Sequence, residues 1–327
     1  MGRFLHVIAL ASFGLCAALS ATMTGYAEEP AADDKPNYRR PTDDEQLRQW
    51  LTHLIAYPRY SLGEVHAATG MQTAEIKRAL ARFKIRSGDR PRREPGNPLV
   101  VLPYPGGRHP RIGFLDGAVR PQRETKVSVF TPWDPDSYVV ADVPEAIWSN
   151  LGLTYLAHTH VPTVWTKVGI ELEPLEWKTG PDQTLVLERT LPNGIRFRTE
   201  VVPKADAVRM AMSLTNGTAE PLSDLRVQNC VMFKGAAGFE SQTNDNKVFD
   251  EPYAACRSDD GQRWVITAWT PCHRPWGNAP CPCLHSDPIF PDCPPGKTVR
   301  VAGWLSFYEG TDIQGEFRRI EATGWRD

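Results

Sequence analysis

No charge of one sign dominates this sequence: Lys and Arg number 37 and Asp and Glu 39 among 327 residues, a formal net charge of -2. That balance excludes a whole-surface electrostatic grip on nucleic acid. A mean hydropathy of -0.39 excludes a polytopic membrane protein. The chain has no P-loop, no G-x-G-x-x-G after a strand and no G-x-S-x-G, so nucleotide, dinucleotide and α/β-hydrolase chemistry drop out. It has no internal repeat. Long helices are also disfavoured, because proline (29) outnumbers even glycine (25) and punctuates a chain with turns. Coiled coils and helical bundles are excluded for most of the length.

The one long apolar stretch is at the start. Arg3 precedes an apolar run from Phe4 to Met23, and Gly25-Tyr26-Ala27 is followed at once by Glu28-Glu29. This order is that of a secretory signal peptide over residues 1–27, with an uncleaved anchor as the alternative. The expected destination is outside a bacterial cytoplasm, in the periplasm or extracellular space. Beyond Cys16 six cysteines remain: Cys230, Cys256, Cys272, Cys281, Cys283 and Cys293. An even count in an exported chain predicts up to three disulfides, with a metal site for the dense cluster that also holds His273 and His285, or partly free thiols, as the alternatives.

Residues 28–41 form a polar tether. A small helical domain is expected over 42–86, opened by a capping box of Thr42 with Glu45. Leu47, Trp50, Leu51 and Leu54 follow at helical spacing. The segment around Gly70, followed by Thr73 to Phe83, has a helix-turn-helix pattern. Twelve Lys/Arg against six Asp/Glu over 39–93 would suit DNA. Export argues instead for packing, or for docking an envelope protein partner through residues 42–86. An Arg/Pro/Gly linker spans 87–98.

From residue 99 to 327 the sequence reads as β. Strands are expected at Thr125–Phe130, Ser137–Asp142, Thr184–Arg189, Arg196–Val202 and Ala207–Leu214, then at Leu225–Phe233, Arg263–Trp269 and Thr298–Tyr308. Turns at Asn193-Gly194, Asn216-Gly217 and Pro295-Gly296 separate them. One helical insert is expected, Pro144 to Asn150. The fold class is mainly β: an antiparallel β-sandwich, supersandwich-like, preceded by the small helix-turn-helix-like domain.

The stretch Glu188–Phe239 resembles the sugar-binding supersandwich of galactose mutarotase-like proteins. The resemblance rests on Leu191-Pro192-Asn193-Gly194, on Val208 to Leu214 leading into Thr215-Asn216-Gly217-Thr218, and on Pro295-Gly296-Lys297-Thr298 before Val299 to Phe307. The stretch Pro103–Trp133 and Ala157-His158-Thr159-His160-Val161-Pro162 are similar to a group of exported bacterial proteins of unassigned function. The first resemblance implies a carbohydrate-active scaffold. Its catalytic His pair and Glu base are not matched to positions here, and a fold analogy alone does not carry an activity.

Five constellations are candidates for chemistry. His158 and His160, two apart on a strand, point to one face, where they suit acid/base work on a sugar with Glu173 as base. With His285 the same pair forms an alternative divalent metal centre. His285 and Asp287 sit in the cysteine-rich loop. The amide-rich run around Asn244 and Asp245 suits hydrogen bonds to hydroxyls, or plain turn chemistry. Trp165, and Trp276 in a Pro275-Trp276-Gly277-Asn278 run that reads as an exposed loop, offer aromatic faces to sugar rings. Arg111 and Arg123, in charged strips at 108–111 and 120–126, are candidates for an anionic group. Glu124 with Lys126 reads as a neutralised surface pair. The functional expectation is an exported protein that binds or processes carbohydrate, with no cofactor favoured. A metal-dependent enzyme and a non-catalytic envelope or matrix protein are the alternatives.

Overall fold

Alternating burial marks the strands that have one face on the core and one towards solvent. In the run Arg196–Pro203 every second side chain is buried, beginning with Phe197, as a two-residue period demands of a strand with one face on a core. The computed structural model describes residues 38–90, 92–111, 123–157 and 161–326. These all belong to one compact unit, Asp34–Asp327. The expected signal segment lies outside them.

In chain order the strands are β1 (Val101–Pro103), β2 (Lys126–Phe130), β3 (Tyr138–Ser149), β4 (Gly152–Leu156), β5 (Lys178–Thr179) and β6 (Leu185–Thr190). There follow β7 (Arg196–Pro203), β8 (Ala207–Thr215), β9 (Val227–Met232), β10 (Lys247–Asp250) and β11 (Tyr253–Arg257). The last are β12 (Arg263–Thr270), β13 (Cys272–Trp276), β14 (Cys283–Pro288) and β15 (Thr298–Glu309). Among the described residues they form two antiparallel sheets. One has the order β1-β2-β3-β9-β14-β13, with β4 also pairing β3; the other runs β10-β11-β12-β15-β8-β7-β6-β5. The mainly β sandwich is therefore the observed fold.

The main core lies between the sheets. Val127, Val139, Ile147, Val227 and Val231 from the first meet Leu187, Phe197, Met210, Leu214 and Leu305 from the second. Tyr155 and Phe197 span the two layers with ring centroids 4.8 Å apart. Each fully buried side chain of this size contributes roughly 1.5–3 kcal/mol. The Asn193-Gly194 and Asn216-Gly217 turns stack so closely that a Cβ on Gly217 would run into the Gly194 carbonyl.

Two helical elements cover the outer faces. The second sheet carries a helix (Ile313–Glu321) with Asp312 as its cap. Its Ile313, Phe317 and Ile320 pack on Trp264, Ile266 and Trp304. The first sheet receives the N-terminal helices α1 (Asp44–Leu51), α2 (Leu62–Thr69) and α3 (Thr73–Phe83), so the C-terminal one is α4. Gly70, at φ +66°, makes the left-handed turn between α2 and α3. Tyr57 packs on Phe130 at 5.7 Å. Arg108 donates to Glu64 at 2.6 Å and to the Tyr138 hydroxyl at 2.9 Å, tying α2 to β3.

Several expectations are corrected. Pro144–Asn150 is the second half of β3, not a helix, because β4 and β9 pair with it from both sides and that pairing overrides local preference. The first helix is capped one residue later than expected. Asp43 accepts from the Gln46 N–H at 2.8 Å, and the Gln46 side chain accepts from the Thr42 N–H at 2.7 Å. Glu124 and Lys126 are not a surface pair: both are buried. Lys126 Nζ lies 2.8 Å from Asp142 Oδ2 with both side chains fully enclosed, while Glu124 takes Arg189 and the Tyr155 hydroxyl. The three-disulfide framework is not formed, and all six cysteines are free thiols. Cys256 sits on β11, Cys272 beside Ser286 and Cys293 against the Lys297 carbonyl, and only the remaining thiols converge.

Candidate functional site

The helices cover only part of the outer face of the first sheet. Beside them the face opens into a cavity of about 350 Å3 lined from β3, β4, β9, β13 and β14. Alternation decides which residues reach it. On β9 Gln228, Cys230 and Met232 face outward while Val227 and Val231 enter the core. On β14 Cys283 and His285 face outward while Leu284 is in the core. On β3 Ala146 and Trp148 reach the cavity wall by the same alternation that sends Ile147 into the core, and Glu145, inside the register shift between Asp142 and Ala146, joins them out of phase.

One wall is a buried polar array. Arg111 is ion-paired with Glu145, both side chains about 5% exposed, and the other Glu145 oxygen accepts from Gln228 Nε2 at 2.9 Å. The charge of Glu145 opposes the burial that disfavours the guanidinium and holds the Arg111 pKa well above its usual value. The apolar side comes from Leu153, Leu156, Val161 and the half-buried ring of Trp148, and Lys167 and Asn278 add polar groups.

The other wall is built around His285. Its Nδ1 donates to the Asn229 carbonyl at 2.7 Å, because a carbonyl can only accept. That leaves Nε2 facing Cys283 Sγ at 3.4 Å. Burial opposes the imidazolium, but Cys230, Glu145 and Asp287 outweigh it and hold the pKa up at about 9. Asp287 is buried and its carboxyl pKa is raised by that burial. It nevertheless accepts from Trp276 Nε1 at 2.6 Å and from the Asn229 N–H at 3.2 Å. Burial pushes the Cys230 thiol well above its ordinary value. For Cys283, hydrogen bonding with Cys230 lowers the pKa, but Cys281 and burial push it up to about 12.

Of the residues singled out from sequence, Arg111, Trp276 and His285 meet at this cavity. Trp276 is half-buried at the end of β13 rather than in an exposed loop, and its ring lies on His285. The others are elsewhere. Trp165 is half-buried at the edge of the main core and donates to the Thr154 carbonyl at 2.7 Å. Glu173 is exposed, its backbone carbonyl accepting from Arg189. Asn244 donates to the Gly277 carbonyl at 3.1 Å, and Asp245 takes part in a turn with Thr243. Arg123 stacks on Trp50 at 3.6 Å and pairs with Glu176 at 3.0 Å. His158 and His160 lie outside the described residues, though Leu156 and Val161 on either side line the cavity. Residues not singled out from sequence, Glu145, Trp148 and Gln228, supply much of the wall. The alternation of Gln228 and Cys230 was the available signal for β9. The irregular β3 offered none.

No family model and no curated protein matches the chain. Among solved structures, a heparan sulfate lyase from Pedobacter heparinus aligns with 86% of this chain and 46% of its own, at 10% identity and a TM-score of 0.35. A putative kojibiose phosphorylase from human microbiome aligns with 44% of this chain at 6% identity and a TM-score of 0.31. A polysaccharide lyase aligns with 41% at 14% identity and a TM-score of 0.28. The chain spans 20% of the phosphorylase and 23% of the polysaccharide lyase. These structural neighbours are carbohydrate-active enzymes, at a level of similarity that carries no activity across to this chain.

Proposed function

We propose that this protein is an exported carbohydrate-binding protein that holds a saccharide in the cavity on the outer face of the seven-stranded sheet. The observation that carries the reading is the pairing, in one cavity, of the Trp148 ring and aliphatic side chains with the Arg111–Glu145–Gln228 array. A sugar ring presents C–H faces and a girdle of hydroxyls, so it asks for that combination of an apolar platform and polar groups held in place. The carboxylate of Glu145 accepts from hydroxyls and the amides of Gln228 and Asn278 donate to them. Because Arg111 and Glu145 hold each other, the array is preformed and little ordering is required on binding.

The test is a glycan-binding screen on the full chain, followed by titration of the best ligand against Trp148→Ala and Gln228→Leu. Each variant is expected to lose about tenfold in affinity, about 1.4 kcal/mol, while remaining folded by circular dichroism. A screen without any saccharide ligand, or unchanged affinity in both variants, would sink the reading.

A further inference from the structure

Three donors of one kind of chemistry meet behind the cavity. Cys283 and His285 are two apart on β14 and so share a face. The β9–β14 register pairs Cys283 with Met232 and Leu284 with Val231, and its next step brings Cys230 opposite His285. The ligand atoms of Cys230, Cys283 and His285 all lie within 4.8 Å of one another and all three residues are buried. We propose that Cys230, Cys283 and His285 bind a Zn2+ ion, with the fourth coordination position open to the cavity.

The spacing of Cys283 and His285 fits such an ion. Zn–S bonds of about 2.3 Å and a Zn–N bond of about 2.0–2.1 Å at tetrahedral angles put sulfur and nitrogen roughly 3.5 Å apart. Cys283 Sγ and His285 Nε2 are 3.4 Å apart. The orientation fits as well. The hydrogen bond from Nδ1 to the Asn229 carbonyl fixes which nitrogen faces the sulfurs, the role that a second ring of contacts plays around metal-bound histidines. Trp276, stacked on the imidazole at 3.9 Å, holds its plane. Two soft thiolates with one imidazole favour zinc over hard cations such as magnesium or calcium. Three protein ligands leave one position, and Cys283 and His285 both line the cavity, so solvent or a bound ligand completes the shell. On binding, the thiol protons, and the Nε2 proton where His285 carries one, leave to solvent as the Zn–S and Zn–N bonds form. The inference stands whether or not a saccharide occupies the cavity.

The experiment is elemental analysis of the full chain, purified under reducing conditions without a metal-chelating tag and equilibrated with ZnCl2. Substitution by Co2+ is followed in parallel by absorption spectroscopy. About one zinc per chain and a thiolate-to-cobalt charge-transfer band are expected. Cys230→Ser, Cys283→Ser and His285→Gln should each lose the metal, whereas Cys281→Ser and Cys256→Ser should retain it. The cobalt spectrum of the unmodified chain decides the matter even if a variant fails to fold. Absence of metal and of the band, with Cys230 and Cys283 shown by mass to be free thiols, overturns the site. A Cys230–Cys283 disulfide in the purified chain overturns it too. Loss of metal in Cys281→Ser overturns the open fourth position. None of these readouts involves a sugar, so this site and the saccharide reading fail independently.

Discussion

The imidazole of His285 lies flat on the indole of Trp276, centroids 3.9 Å apart and planes within 13°. The two are linked a second time through Asp287, which accepts from Trp276 Nε1 at 2.6 Å and lies 4.0 Å from His285 Nδ1. Cross-strand pairing puts them there, since Trp276 on β13 is directly opposite His285 on β14. A charged ring on an aromatic face gains electrostatic attraction beyond the area it buries.

Trp276→Leu should therefore cost about 2 kcal/mol, combining the stack with the hydrogen bond to a carboxylate. Trp276→Phe, which keeps a ring but no N–H donor, should cost about half of that. Urea unfolding of the two variants measures both: equal costs would mean that the ring stack contributes nothing, and a Trp276→Phe variant as stable as the native chain would mean the same of the Asp287 bond.

The Lys126–Asp142 pair, joining β2 to β3, is fully enclosed. Asp142→Leu leaves a buried ammonium without its counter-ion and should destabilise by about 3–5 kcal/mol. Lys126→Met with Asp142→Leu removes both charges and should recover most of the loss. A double variant no more stable than the single one would show that the pair itself contributes net stability.

His53 lies at the junction of the helical segment with the sheet. Burial, reinforced by the nearby Arg123 charge, lowers its pKa to about 4. The unfolded chain then binds a proton near pH 6.5 that the folded chain refuses until about pH 4. The contribution of this histidine is thus full above pH 6.5 and is lost as pH falls towards 4. Melting temperatures across that interval should fall less steeply for His53→Gln than for the native chain, and an NMR titration of His53 reads the shift directly.

Phe317 stacks on Tyr253 at 4.6 Å and 11°, and it is the centre of the apolar face with which α4 closes the second sheet. Phe317→Ala should cost about 3–5 kcal/mol. If α4 were a loosely attached tail the cost would be below 1 kcal/mol, which denaturant unfolding resolves.

Much of the fold was legible because strands write their burial into the chain with a period of two. The expected Ala207–Leu214 and the observed β8 (Ala207–Thr215) differ by one residue, as do Arg196–Val202 and β7. Helix α4 was equally legible in Asp312, Ile313, Phe317 and Ile320, a cap followed by one apolar face, although it was not anticipated. The segment Pro144–Asn150 was misread because its strand character comes from partners on both sides, and no local pattern records them.

By itself the sequence determined the β architecture, the helical start and the residue types available for chemistry, since each depends on local periodicity and composition. Only the tertiary structure decided which of those residues meet. Arg123, Trp165 and Asn244 are of the right types, but each side chain is tied to other neighbours and does not line the cavity, and Glu173 faces solvent. Cys230 and His285, 55 positions apart, come together because β9 and β14 pair in one register. Strand pairing of distant segments is chosen by the core the whole chain can build, so a site made across that pairing is set by the same global choice.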